Sequence, residues 1–241
     1  MLKAYGMKDI GRCRSVNQDY IFVSEKPVGN LPNLFLVADG MGGHRAGDLA
    51  SEYTVSMVRE AVEKSMQNIP LQILKNAFQY ANQKLLEKAQ ESPAYMDMGT
   101  TLVAATVVGD TAYVVNVGDS RLYKVGSAIW QITRDHSLVE EMIRMGEISK
   151  EEARNHPQKN IITRAIGVSQ IVEADYFDLE LAKGECLLLC SDGLSNMIED
   201  SQIKEILDRR RDLRSGAEEL VETANRNGGR DNIAVVLVEQ G

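Results

Sequence analysis

The chain has 241 residues, 44% of them hydrophobic and 26% charged, the balance of an ordinary globular protein long enough to bury a sizeable core. Its 27 Lys and Arg against 35 Asp and Glu leave a net charge of −8, which argues against nucleic acid as the main partner, because phosphate backbones call for basic patches. No apolar run reaches the length of a signal peptide or a bilayer span, and Cys13, Cys186 and Cys190 form no C-x-x-C pair, so the expectation is a cytoplasmic protein with no membrane segment, reduced thiols and no zinc site.

Residues 3–8 suit a short first strand. The polar stretch GRCRSVNQD at 11–19 carries Arg12, Arg14, Asn17 and Asp19 into a second apolar run at 20–23, and a loop with two prolines and a glycine precedes LFLVADGMGGH at 34–44. There, five residues that suit a buried strand run straight into Asp39-Gly40. Apolar residues then recur at steps of three and four over 46–66, and again from Pro70 until Pro93, predicting two amphipathic helices. Runs at 101–108, 111–117, 121–125 and 128–132 are rich in Val, Thr and aromatics, and their connections are so short that neighbours should pair antiparallel as a meander. Two short helices at 137–146 and 149–155, strands at 170–181 and 185–191, helices at 201–210 and 215–226 and a last strand at 232–239 complete the reading. Strands in blocks and helices in pairs predict an α+β fold of antiparallel sheets, with no linker or repeat to divide the chain, 1–241, into more than one domain.

The strand-then-aspartate pattern of Asp39 returns. An apolar run leads into Gly118-Asp119-Ser120, another into Ser191-Asp192-Gly193, and Gly228-Gly229-Arg230-Asp231 precedes the last strand. Asp-Gly is a common turn pair, so each could merely close a turn. If the ends meet, however, several carboxylates share one small volume. Two unit charges about 4 Å apart repel by roughly 4 kcal/mol at an effective dielectric near 20, so such a cluster needs protons or cations. Asp-rich, His-poor sites suit hard, oxygen-seeking ions such as Mg²⁺ or Mn²⁺. Spacing leaves both readings open.

RCRSVNQD, VADGMGGH, GTT, VGDSR, TRDHS, CSDGL and GGRDNIAVV stand in the order and spacing of the metal-dependent protein phosphatases of type 2C in their compact bacterial form, and the chain resembles that family from Gly11 to Val236. The resemblance implies an α-β-β-α sandwich of two antiparallel sheets flanked by helices, with two Mn²⁺ or Mg²⁺ ions at one end and a third in some bacterial relatives. It implies that Asp39 bridges both ions, that the carbonyl of Gly40 binds the second, that Asp192 and Asp231 complete the coordination of the first ion, and that Asp119 with Asp192 forms the third position. Arg14 matches the residue that holds the substrate phosphate, a task that suits a guanidinium fork. The implied activity is hydrolysis of phosphoserine and phosphothreonine in proteins by water activated between the ions. A partner serine/threonine kinase and its substrates are the implied partners, and the expected state is a monomer.

The sequence departs from parts of the family in two places. Many relatives have Glu where this chain has Gln18, so Asp19 is expected to reach the second ion through water. Eukaryotic members place a general-acid histidine where this chain has Met41; His44 follows three residues later and is the candidate proton donor. His136 and His156 read as structural or surface residues, Arg209 to Arg211 as a solvated helix end, and 136–167 as a flap beside the site. A catalytically silent phosphoprotein-binding module and a metal-dependent phosphodiesterase or nuclease are the alternatives. The intact aspartates and Arg14 speak against the first, the acidic balance and the lack of a basic groove against the second.

Overall fold

The computed structural model describes residues 2–42 and 46–241. The chain opens with strands β1 (Leu2–Asp9), β2 (Asp19–Ser24) and β3 (Leu34–Met41), followed by helices α1 (Ala46–Glu63) and α2 (Pro70–Ala89). Next come β4 (Gly99–Thr100), β5 (Leu102–Val108), β6 (Thr111–Val117), β7 (Arg121–Val125) and β8 (Ile129–Gln131), then the short helices α3 (Leu138–Met145) and α4 (Lys150–Arg154). The remainder is β9 (Asp175–Glu180), β10 (Cys186–Cys190), α5 (Asp192–Ser195), α6 (Asp200–Arg209), α7 (Leu213–Arg226) and β11 (Ile233–Gln240).

The strands form two antiparallel sheets, ordered β1-β11-β10-β7-β8 and β2-β3-β5-β6-β9, with β4 pairing β3. Strand alternation builds three apolar layers from them. Phe35 and Val37 of β3 meet Leu187, Leu189 and Val236 between the sheets. Leu34, Leu36 and Ala38 point the other way into α1 and α2, while Cys186, Leu188 and Cys190 face α6 and α7. A strand covered on both faces needs apolar side chains at every position, which is why these segments read as continuous runs rather than alternating ones. The result is the expected α-β-β-α sandwich.

Helix ends follow local chemistry. Pro70 occupies the first turn of α2, where its missing N–H costs no hydrogen bond. The Ser137 hydroxyl accepts the Glu140 N–H at the start of α3, and Gly146 closes that helix at φ 75°. Ser149 and Glu152 cap α4 reciprocally.

The structure corrects the sequence reading at three places. The predicted meander holds for β5 with β6 and for β7 with β8, but the chain changes sheets between them. Gly118 makes that corner at φ 105°, with Thr101 packed where a side chain would stand. The predicted strand at 170–181 begins only at Asp175, because α2 side chains take the carbonyls before it: Asn82 Nδ2 donates to Ser169 and Gln170, and Gln79 Nε2 to Val172. A one-turn helix at Asp192, α5, was not expected.

Candidate active site

The five aspartates meet at one end of the sandwich. Asp19 opens β2 and Asp39 lies near the end of β3, and the two are direct partners across that pair. Like charges face to face on neighbouring strands repel. Asp119 sits in the corner between the sheets, Asp192 follows β10, and Asp231 precedes β11. Burial pushes the Asp39 carboxyl well above the usual carboxylate range, and the charges of Asp19, Asp192, Asp119 and Asp231 push it further. Burial also acts first on three neighbours: it moves Asp19 up to about 8, Asp192 to about 6 and Asp119 well up.

Backbone clamps fix this end. The Asp39 N–H donates to Thr101 Oγ1 at 3.0 Å, the Asp39 carbonyl accepts from Thr101 N at 2.9 Å and from Thr100 Oγ1 at 2.8 Å, and Thr101 Oγ1 is paired with Ser120 Oγ at 2.7 Å. Gly40 donates its N–H to the Gln18 carbonyl. A Cβ on Gly40 would stand 1.9 Å from the Gly47 carbonyl oxygen, so this close meeting of β3 with the start of α1 tolerates no side chain. Gln18 packs its amide against Gly47. Asp19 is 1% exposed, and its Oδ2 accepts from Ser191 Oγ at 2.7 Å, while that same Oγ accepts the Ala234 N–H.

Arg14 reaches the cluster from the loop between β1 and β2. Its Nη2 donates to Asp231 Oδ2 at 2.7 Å. The loop is zipped to the segment before β11: Arg12 and Cys13 donate their N–H groups to the Gly229 carbonyl, and Asn232 braces it from beneath. Asn232 Nδ2 donates to the carbonyls of Ile10 and Val16, and its Oδ1 accepts the Gln18 N–H.

The donor set fits hard divalent cations. Asp19 Oδ1 and Asp192 Oδ1 are buried with no hydrogen-bond partner, two acceptor atoms oriented into a volume of raised carboxyl pKa values. Among the described residues no three His, Cys, Asp or Glu side chains hold an ion by themselves. Water and backbone carbonyls would therefore complete the coordination, as magnesium-like ions prefer.

Among the other expected residues, Gly40 lies at the cluster with Asp39, whereas His44 lies outside the described residues. His136 is structural: 5% exposed, it accepts the Gly118 N–H at Nδ1 and turns Nε2 to Asp175 at 3.2 Å, and burial lowers its pKa. Cys186 and Cys190 are buried, their thiols pushed up to about 12, and Cys13 is exposed; none is disulfide-bonded. A cleft of about 370 Å³ runs from Asp119 and Asp192 along α3 and α4, past Glu140, Lys150 and Arg154. Sequence reading missed Thr101, Asn232 and Ser191 as site residues, although all three lie inside quoted motifs.

Three comparisons bear on this arrangement. The family model for protein phosphatase 2C matches residues 12–237. The serine/threonine phosphatase stp of Listeria monocytogenes is 44% identical over 237 residues, covering 96% of this chain and 93% of the relative. Among solved structures, the serine/threonine phosphatase of S. agalactiae superposes with a TM-score of 0.93 at 38% identity over the full length of both chains. The catalytic domain of the serine/threonine protein phosphatase PstP, solved in complex with two manganese ions, gives 0.87 at 32% identity over 99% of this chain and 97% of that one.

Proposed function

This chain belongs to the protein phosphatase 2C family and is a serine/threonine phosphatase, and from that premise we propose that it hydrolyses phosphoserine and phosphothreonine in proteins with two divalent ions, Mn²⁺ or Mg²⁺, held at the aspartate cluster. The observation that carries this reading is the meeting of five aspartates with two unpartnered buried carboxylate oxygens. The manganese in the PstP structure supports the choice of ion. Asp39 would serve both ions, the Gly40 carbonyl the second, Asp192 and Asp231 the first, and Asp119 with Asp192 a third position. When bound, such ions lower the pKa of a water to near neutrality and draw charge from phosphate oxygens.

The chain's own residues then have distinct tasks. Arg14, already oriented by Asp231, keeps its remaining N–H groups for the non-bridging oxygens of the phosphate, in the planar geometry that a guanidinium offers. Thr101 and Thr100 hold the Asp39 backbone, and Ser191 holds one Asp19 oxygen so that the other faces the cluster. Asp19 would act through water, because its carboxylate is anchored to Ser191 and Gln18 is turned to α1. His44 enters only as the candidate donor of the leaving group's proton. No step requires a protein nucleophile.

The substrates on this reading are cytoplasmic phosphoproteins, with a serine/threonine kinase as the opposing enzyme, acted on by a monomer of one catalytic domain whose flap spans 136–167. A phosphothreonine peptide incubated with Mn²⁺ should release phosphate, and an excess of chelator should stop it reversibly. Binding of the peptide without turnover at any Mn²⁺ concentration would instead establish the silent module.

A further inference from the structure

Asp39 and Met41 stand two residues apart on β3, and strand alternation sends their side chains to one face. Both are partly exposed, whereas Gly40 between them is buried. Met41 is also shared by two adjoining hollows of about 600 and 450 Å³, which have Val168 in common as well. Their walls are largely apolar. Met96, Val168 and Ile171 are 64%, 62% and 72% exposed there, without a partner that would explain such large apolar side chains in water.

The walls are fixed before anything binds. Asn82 Oδ1 accepts the Gly167 N–H, and the side chains of Asn82 and Gln79 hold the carbonyls of Ser169, Gln170 and Val172 against α2. Preformed walls spare a ligand the entropy of ordering them. Charge is sparse: Arg164 is engaged with Glu173 and Asp175, which leaves Asp97 on the opposite wall. Thioether side chains such as those of Met41 and Met96 adapt to differently shaped apolar partners.

We infer that this groove receives an apolar side chain of the phosphoprotein substrate, two or three residues from the phosphorylated one, so that the enzyme selects hydrophobic residues beside its phosphosites. The inference rests on the phosphatase reading above. It commits to substrate as the occupant because Met41, which lines both hollows, stands two residues from Asp39 on the same strand. An extended chain rises about 3.3 Å per residue, so a peptide held at Asp39 reaches past Met41 within two or three residues.

The test is a set of phosphothreonine peptides in a Ser/Gly background, with Leu placed singly at each of the three positions on either side. The wild-type protein, Val168→Asp and Ile171→Asp would be assayed with Mn²⁺, with p-nitrophenyl phosphate as the small substrate. Leu at one position should raise kcat/KM about tenfold over Ser, as expected for a side chain entering a partly open apolar site. Both variants should remove most of that preference and leave p-nitrophenyl phosphate turnover unchanged, since both residues are exposed and make no catalytic contact. Activity on all peptides alike, or a Leu preference that survives both variants, overturns the inference while leaving the phosphatase reading intact. A concentration-dependent dimer abolished by the same variants would assign the groove to a second copy and also overturn it. Activity on neither peptide nor p-nitrophenyl phosphate would defeat the phosphatase reading, and this inference with it.

Discussion

Arg14 and Asp231, 217 positions apart, are joined at 2.7 Å at the mouth of the aspartate cluster. Their side chains are 48% and 34% exposed, so solvent screens the pair and its share of folding stability is small. On the proposed reading, the pair's task is to aim the guanidinium. Arg14→Ala should therefore leave the melting temperature close to wild type while lowering kcat/KM for a phosphothreonine peptide by about 100-fold or more, the order found when a charge-stabilising donor is removed. Arg14→Lys should recover little, because an ammonium cannot hold Asp231 and two phosphate oxygens in one plane. Steady-state kinetics with thermal melts of the same samples check both parts.

Asn232 supports that arginine without approaching the phosphate. Its three hydrogen bonds, to Ile10, Val16 and Gln18, tie both ends of the Arg14 loop to the base of β11. Asn232→Ala should loosen the loop, raising KM about tenfold with a smaller change in kcat. It should also lower stability by about 1–3 kcal/mol, since it strands buried polar groups. In an Arg14→Ala background the kinetic effect should vanish, because nothing remains to be positioned. Additive effects in that double-mutant cycle would show that Asn232 acts on the fold alone.

The carboxyl cluster makes a signed forecast for the metal-free protein. Asp19 is raised from 3.8 to about 8, so between those values the native state holds a proton that the unfolded chain has lost. Stability rises with pH only where the unfolded state binds more protons; here it binds fewer, so stability must fall as pH climbs. Asp39 and Asp119 act in the same direction, and Asp192, at about 6, has largely completed its change by pH 6.5. His136, whose pKa is lowered, opposes this only below about its ordinary value of 6.5. In chelator the melting temperature should thus fall from pH 6.5 to 8.5. Saturating Mn²⁺ should abolish or reverse that slope, because the ion takes the place of the protons. A metal-free slope of zero would mean that the carboxylates are compensated in some other way.

Much of this site could be read from residue order, and the reason is burial. A strand covered on both faces must be apolar throughout, so 34–38 and 187–190 identify themselves, and the aspartate that ends each run is conspicuous. What stayed hidden depends on which distant segments meet. Nothing local distinguishes Thr101, whose hydroxyl holds Asp39, from any β-branched strand residue, and Ser191 reads as a turn residue until Asp19 is found opposite it. The change of sheet at Gly118 was hidden for the same reason: a three-residue connection suits a hairpin and a corner equally, and only the packing against Thr101 decides. The segment before β9 was misread because the carbonyls of Ser169, Gln170 and Val172 are taken by Asn82 and Gln79 rather than by a neighbouring strand.

Cysteine and aspartate chemistry separate cleanly. Asp192 has one oxygen held by Asn196 and one buried without a partner, which suits the ligand role proposed for it. Asp192→Ala should abolish Mn²⁺-dependent hydrolysis of p-nitrophenyl phosphate. Cys13→Ser should leave it near wild type, although Cys13 neighbours Arg14, because its thiol makes only a long contact of 3.8 Å to the Gly228 carbonyl. The reverse pattern would point to a thiol nucleophile and reject the metal mechanism.

The segment 136–167 is held firmly at its ends and weakly between them. At one end His136 exchanges bonds with Gly118 and Thr163, and at the other Ile166 pairs with Thr100. Between these anchors, α3 and α4 bury only Val139 and Ala153. So little apolar burial should let the helices open locally at a small fraction of the global unfolding free energy. Amides in 138–155 should exchange with deuterium far sooner than those in 233–238, which are paired on both sides by β1 and β10 with every side chain buried. Because the cleft beside Asp119 and Asp192 is walled by these helices, exchanging 138–155 for a relative's segment should change relative rates among phosphopeptides. It should scarcely affect p-nitrophenyl phosphate, which is too small to touch them. A parallel loss on both substrates would show instead that the helices support Asp119, the one cluster residue whose corner is bonded to His136.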